Sequence, residues 1–182
     1  KVLKELQAIG DCIDISSSQT KNEDLEENIQ DAEIVVIRSA TNLDKATIDK
    51  ADCLKIIARC GVGVDNIDVD YAKSNNIFVT NSPSANLISV VELTVSLIIS
   101  AARKINLSDK HVKDGNWNRK EFVGIELYGK QLGIIGFGKA GKLVSDRMKS
   151  FGMSIAFYDP FVNDWNGPEK KLELDELLNT SD

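Results

Sequence analysis

Apolar positions along the chain switch repeatedly between a helical period and a strand period. In the opening ten residues Val2, Leu3, Leu6 and Ile9 share one helical face, and Gly10 supplies a stop. Residues 33–38 hold an unbroken β-branched run, expected to be a strand buried on both faces. A helix over 43–51, with Asp44 near its start, a strand over 54–58, a short helix over 69–74 and a strand over 77–80 follow. Residues 81–86 read as a loop with Asn86 as the N-cap of the next helix. That helix, 87–102, is apolar on nearly every face and is expected to lie buried between two layers or domains. A polar helix spans 104–113, strands at 131–135 and 154–158 flank a helix at 140–150, and an amphipathic helix covers 172–178. Strand–helix–strand repetition predicts an α/β protein with doubly wound parallel sheets, and the change in composition near Pro83 divides it into domains 1–83 and 84–182. With no cap before Lys1 and a strand due after Asp182, the sequence is expected to be a piece of a longer protein.

Composition narrows the chemistry. The 182 residues are 42% hydrophobic and 27% charged, which is ordinary globular usage rather than that of a disordered chain. A net charge of −6 disfavours general binding to nucleic acid or to anionic membrane. The longest apolar stretch, 87–102, carries Glu92 and falls short of the about 20 residues a membrane span needs. Three cysteines (Cys12, Cys53, Cys60) without a C-x-x-C pair predict reduced thiols and a cytoplasmic home. They read as small buried apolar residues, with Cys60 alternatively a thiol beside a substrate pocket. One histidine leaves no zinc ligand set; His111, on the polar helix, is expected at the surface. The acidic stretches 21–33 and 169–176 read as solvated helix faces, and Trp117 and Trp165 as packing residues.

Two glycine clusters carry candidate chemistry. Gly136-Phe-Gly138-Lys-Ala-Gly141 follows a hydrophobic strand and opens a helix, and Asp159 ends the next strand. In that context the first glycine permits a tight turn. The second lets backbone approach a pyrophosphate, and the third allows close helix–strand packing. Amides at the helix start, with the positive end of its dipole, suit a diphosphate, and Asp159 suits the ribose hydroxyls while repelling a 2′-phosphate. The cofactor expected is NAD rather than NADP. The second cluster, Arg59-Cys-Gly61-Val-Gly63-Val-Asp-Asn66, also follows a strand and could form an amide nest for a carboxylate. Arg38, closing the neighbouring strand, and Arg59 would pair with a small anionic substrate; a tight loop with two surface arginines is the bland alternative.

The motifs Val36-Ile-Arg38-Ser-Ala-Thr41, Gly61-Val-Gly-Val-Asp-Asn-Ile-Asp68, Asn81-Ser-Pro83, Val91-Glu-Leu-Thr94, Lys113-Asp-Gly-Asn-Trp117, Glu126-Leu-Tyr-Gly-Lys130 and Tyr158-Asp-Pro160 resemble the D-isomer-specific 2-hydroxyacid dehydrogenases, from about residue 30 onward. The resemblance implies a flavodoxin-like substrate domain, here without its first strand, and a Rossmann NAD-binding domain, here incomplete at its C-terminal end. It implies an active site in the cleft between them and a homodimer formed through the cofactor domain. Carried over by position, Arg38, Arg59, Val62, Gly63 and Asn86 are substrate-side residues. Val62, Gly136, Gly138, Lys139, Ala140, Gly141 and Asp159 are cofactor residues. Ala140 stands where the family carries a larger apolar residue. The family's catalytic arginine, glutamate and histidine are expected beyond Asp182. The implied activity of the intact protein is oxidation of D-3-phosphoglycerate to 3-phosphohydroxypyruvate, feeding serine biosynthesis. Alternatives are a dehydrogenase for glycerate, lactate or glyoxylate, and an NADH-sensing corepressor-like protein of the same fold.

Overall fold

The computed structural model describes residues 2–15 and 22–182, so Lys1 of the expected first helix and Lys21 of the first acidic stretch lie outside the described residues. The chain divides into two compact units, Lys1–Ala85 and Asn86–Asp182, each built on a three-stranded parallel sheet.

In the first unit the order is α1 (Val2–Leu6), α2 (Asn22–Ile29), β1 (Ile34–Ile37), α3 (Lys45–Ile48), β2 (Ile56–Arg59), α4 (Val69–Ser74) and β3 (Phe78–Asn81). The sheet runs β1-β2-β3 with Val35, Ile57 and Val79 in register. Side-chain oxygens start the two short helices where the sequence puts aspartates. Asp44 accepts from the Thr47 amide at 2.9 Å and Asp68 from the Tyr71 amide at 3.0 Å. Leu25 and Ile29 of α2, Ile48, Ala72 and the inward strand residues Val35, Ile37 and Ile57 form one core. β1 is not buried on both faces as its composition suggests: Ile34 and Val36 alternate outward, Ile34 in register through Ile56 with Phe78, which is 76% exposed. A β-branched run fixes strand propensity, but how many faces are covered depends on neighbours remote in sequence. The turn after α1 likewise leaves Ile9 and Ile13 exposed.

The second unit comprises α5 (Leu87–Ala102), α6 (Ile105–Lys113), a 3-10 turn (Arg119–Phe122), β4 (Gln131–Ile135), α7 (Lys139–Lys149), β5 (Ser154–Tyr158), β6 (Lys170–Lys171) and α8 (Leu174–Thr180). The sheet order is β4-β5-β6, the two-residue β6 having no signal in the sequence pattern. Asn86 takes the N-cap position of α5 without a side-chain capping bond. Along α5, Leu87, Val91, Val95 and Ile98 recur at helical spacing and pack on Leu143, Val144 and Met148 of α7. Full burial of Val91 contributes about 1.5–3 kcal/mol. The expected enclosure of α5 is not found: Ile88, Val90, Leu93 (60% exposed) and Leu97 are open on the other side. No described helix is long and apolar enough to cross a membrane.

Four further expectations are corrected. All three cysteines are exposed: Cys12 lies in the irregular segment after the α1 turn, Cys53 in a turn and Cys60 just past β2, none on an inward face. Trp117 is 78% exposed, whereas Trp165 does pack, edge-on to Phe137 and Phe157. Glu169, read as part of a solvated acidic face, is only 7% exposed: it accepts from Ser145 at 3.0 Å and pairs with Lys149, both on α7. His111 is half-buried against Phe122, ring centroids 4.8 Å apart, rather than free on the surface.

Candidate functional site

The turn between β4 and α7 is built by its glycines. Gly136 has φ +89°, which a side chain would strain, and its amide donates to Tyr158 O at 2.8 Å, tying the turn to the end of β5. A Cβ on Gly141 would lie under 3.0 Å from the Gly136 carbonyl oxygen, so helix and turn touch through bare backbone. Gly138, the N-cap of α7, has no protein atom within 4 Å of where its Cβ would be. The first helix-type bond of α7 is Lys142 N–H to Gly138 O at 3.1 Å, so the amides of Lys139, Ala140 and Gly141 have no acceptor within the helix. This is a crown of positive dipole ends under an open backbone face, the chemistry a diphosphate requires.

Asp159 stands at the end of β5 and is 9% exposed. Its Oδ1 accepts from the Phe161 amide at 2.8 Å and its Oδ2 from the Phe137 amide at 2.7 Å. The Phe161 amide first, then that of Phe137, hold the carboxyl below its usual range against the opposing effect of burial, and Lys171 adds a smaller attraction. Both oxygens are therefore engaged by backbone, with one further lone pair on each still available for sugar hydroxyls. Phe137 is buried, stacked on Phe157 with centroids 4.0 Å apart, and Trp165 closes the cluster at 5.1 Å from Phe137. Lys142 Nζ lies 5.0 Å from the Trp165 ring centroid. Neither the aspartate's backbone contacts nor this aromatic cluster is legible from the glycine spacing.

In the first unit Arg38 follows β1 and Arg59 ends β2, adjacent because Ile37 and Arg59 are in register. Arg38 is exposed. The Arg59 guanidinium crosses Gly61, within 3.0 Å of where a Cβ would be. Two asparagines pin the loop that follows. Asn81 Nδ2 donates to Val62 O at 2.6 Å, and Asn66 Nδ2 to Thr41 O at 2.6 Å and Arg38 O at 3.0 Å. The Ser82 amide adds a bond to Gly61 O at 2.9 Å. The amides of Val62 and Gly63 donate to no group among the described residues, and both residues are exposed. Asp65 Oδ1 borders Gly63 and would have to swing aside for an anion. Arg38, Arg59, Val62 and Gly63 are thus brought together in the first unit. Gly136, Gly138, Lys139, Ala140, Gly141 and Asp159 are brought together in the second, where Asn86 sits at the head of α5, a separate element. Sequence reasoning missed Asn66 and Asn81 as the clamps of the glycine loop; the Gly-Val-Asp-Asn66 and Asn81-Ser-Pro83 runs were the signal available.

Known proteins agree with this architecture. The profile of the "D-isomer specific 2-hydroxyacid dehydrogenase, catalytic domain" matches residues 1–174. The chain belongs to that family. It is 45% identical over 177 residues to the D-3-phosphoglycerate dehydrogenase of Methanocaldococcus jannaschii, covering 97% of this chain and 33% of the relative. It is 40% identical to the hydroxypyruvate reductase of Thermotoga maritima, covering 93% of this chain and 56% of that protein. Among solved structures, the D-lactate dehydrogenase of Aquifex aeolicus, complexed with NAD and lactic acid, superposes with a TM-score of 0.79 at 32% identity. That match covers 86% of this chain and 48% of the other. The chain thus spans about a third to just over half of the length of these relatives, and as a member of the family it carries the α/β fold with parallel sheets that they share.

Proposed function

We propose that the intact protein is an NAD-dependent dehydrogenase that oxidises D-3-phosphoglycerate to 3-phosphohydroxypyruvate, a step in serine biosynthesis. The observation that carries the reading is the pair Arg38 and Arg59 closing adjacent strands beside two amides without acceptors, a set suited to a substrate with two anionic groups. Relatives named for D-3-phosphoglycerate dehydrogenase, at 45% and 44% identity, support it. The first unit is the substrate domain and the second the NAD domain. In the first, Arg38 and Arg59 neutralise phosphoryl and carboxylate charge, and the Val62 and Gly63 amides orient the carboxylate. In the second, the amides of 138–141 hold the diphosphate, Lys139 adds charge, the small Ala140 leaves the turn open and Asp159 accepts from the ribose hydroxyls. The family resemblance further implies a cofactor role for Val62 and a substrate role for Asn86. The nicotinamide, when bound, supplies the acceptor for the hydride leaving C2 of the hydroxy acid. The accompanying hydroxyl proton goes to a histidine paired with a glutamate outside residues 1–182, as the family resemblance implies. The protein is cytoplasmic and a homodimer, the open apolar side of α5 meeting a second copy.

The test is full-length protein with 3-phosphoglycerate and NAD at alkaline pH, followed by absorbance of the reduced nicotinamide. Turnover supports the reading. Turnover only with unphosphorylated hydroxypyruvate or glycerate would favour the chemistry named for the Thermotoga maritima relative. No turnover, with a partner captured only when NADH is present, would favour a corepressor-like role.

A further inference from the structure

We infer that Asp159 is a positioning residue for the diphosphate turn, beyond its contact with the ribose. The inference rests on the NAD reading of the second unit. One carboxylate bridges two loops that flank the same ligand: Oδ2 fixes the peptide of Phe137, inside the Gly136–Gly141 turn, and Oδ1 fixes that of Phe161, inside the segment leaving β5. The first bond is buried, where a lost acceptor leaves an amide with no water to replace it. Beside these two bonds, Gly136 donates to Tyr158 O, and no side chain caps α7. The Phe137 ring, stacked on Phe157, anchors the residue's side chain while leaving the orientation of its peptide to Asp159. A carboxylate accepts from two amides at once. An asparagine of the same shape accepts with only one of its two ends, so one loop loses its tie.

The consequence separates from a ribose contact. If Asp159 acted on sugar hydroxyls alone, a nucleotide without them would not sense its replacement. Calorimetric titration of full-length wild-type protein and Asp159→Asn with ADP and with 2′,3′-dideoxy-ADP makes the distinction. The expected result is that dideoxy-ADP binds the variant at least about fivefold more weakly than wild type, and that ADP loses more, having lost hydroxyl contacts as well. Dideoxy-ADP binding within about twofold of wild type, while ADP weakens, overturns the inference and leaves the NAD reading standing. Wild type that binds neither nucleotide nor NADH overturns the NAD reading itself. Should the variant fail to fold, the wild-type protein still decides. The amide resonances of Phe137 and Phe161 are expected to titrate together with one carboxyl below the usual aspartate range, and a Phe137 amide indifferent to that titration overturns the inference.

Discussion

Gly141 and Gly138 are three residues apart in one turn, and the structure assigns them opposite consequences on substitution. A methyl on Gly141 would fall under 3.0 Å from the Gly136 carbonyl oxygen and 3.3 Å from Ile134 Cγ2. Relief requires moving backbone, since the carbonyl cannot rotate away like the end of a side chain, so the cost lies toward the top of the about 1–3 kcal/mol typical of overpacking. Alanine's better helix propensity in the first turn of α7 returns about 1 kcal/mol. Gly141→Ala is therefore expected to be net destabilising by about 1–2 kcal/mol. Gly138→Ala meets nothing within 4 Å and has φ −76°, open to any residue. Its fold penalty is the poorer capping of alanine, under about 1 kcal/mol. The methyl would nevertheless occupy the face along which a diphosphate approaches, and NADH is expected to bind about tenfold more weakly or worse, ~1.4 kcal/mol. Urea unfolding and NADH titration of both full-length variants read the two effects separately. Gly141→Ala unfolding at or above the wild-type midpoint would refute the close-packing argument. Gly138→Ala binding NADH like wild type would refute the placement of the diphosphate on that face.

Lys149→Met strands Glu169, whose side chain is 5% exposed, with only Ser145 and a backbone amide for support; the expected loss is about 2–3 kcal/mol at pH 7. Burial raises the Glu169 pKa, but Lys149, a backbone amide and Ser145 together take it below 4.5, so the contribution is present above that pH and lost as pH falls through the folded value. The gap between variant and wild type should accordingly narrow on acidification, and a gap that stays constant until the wild type itself unfolds in acid would contradict the pairing. Arg38→Ala removes a charge-assisted contact worth ~1.5–3 kcal/mol and should raise KM for 3-phosphoglycerate by roughly 10–150-fold with NADH affinity unchanged. An unmoved KM would shift the substrate toward an unphosphorylated hydroxy acid. Leu93→Asp, on the open side of α5, should shift the protein from dimer to monomer in sedimentation; persistence of the dimer would place the contact elsewhere.

What the sequence disclosed was whatever is decided locally. The strands at 131–135 and 154–158 and the helix at 69–74 have the bounds read from their side-chain periods, and Asp44, noted near a helix start, is that helix's N-cap. The glycine turn was legible because each glycine answers a backbone requirement a few residues away. Features that depend on a remote partner were not. The outward face of β1, the open side of α5 and the exposure of Trp117 are decided by which surfaces happen to be covered, and composition carries no record of that. Glu169 was misread for the same reason: an acidic residue before a helix looks solvated until Ser145 and Lys149, one turn apart on α7, arrive beneath it.

The two candidate sites share one origin, which ties their location to the fold. In each unit the strands are parallel, so every strand leaves the sheet at the same end; in the second unit α7 begins there without a side-chain cap, whereas in the first Asp44 and Asp68 cap the short crossover helices. Arg38, Arg59 and the 61–66 loop lie at that end of the first sheet; Gly136 and Asp159 lie at that end of the second. A negative group at these ends would meet the α7 N-terminal amides in the second unit and Arg38, Arg59 and the Val62 and Gly63 amides in the first, even though the chain as a whole carries a charge of −6. Local dipoles within a few ångströms outweigh a diffuse surface charge screened over about 10 Å. An acidic protein can therefore present two ends receptive to anions, and the parallel arrangement of its strands determines where.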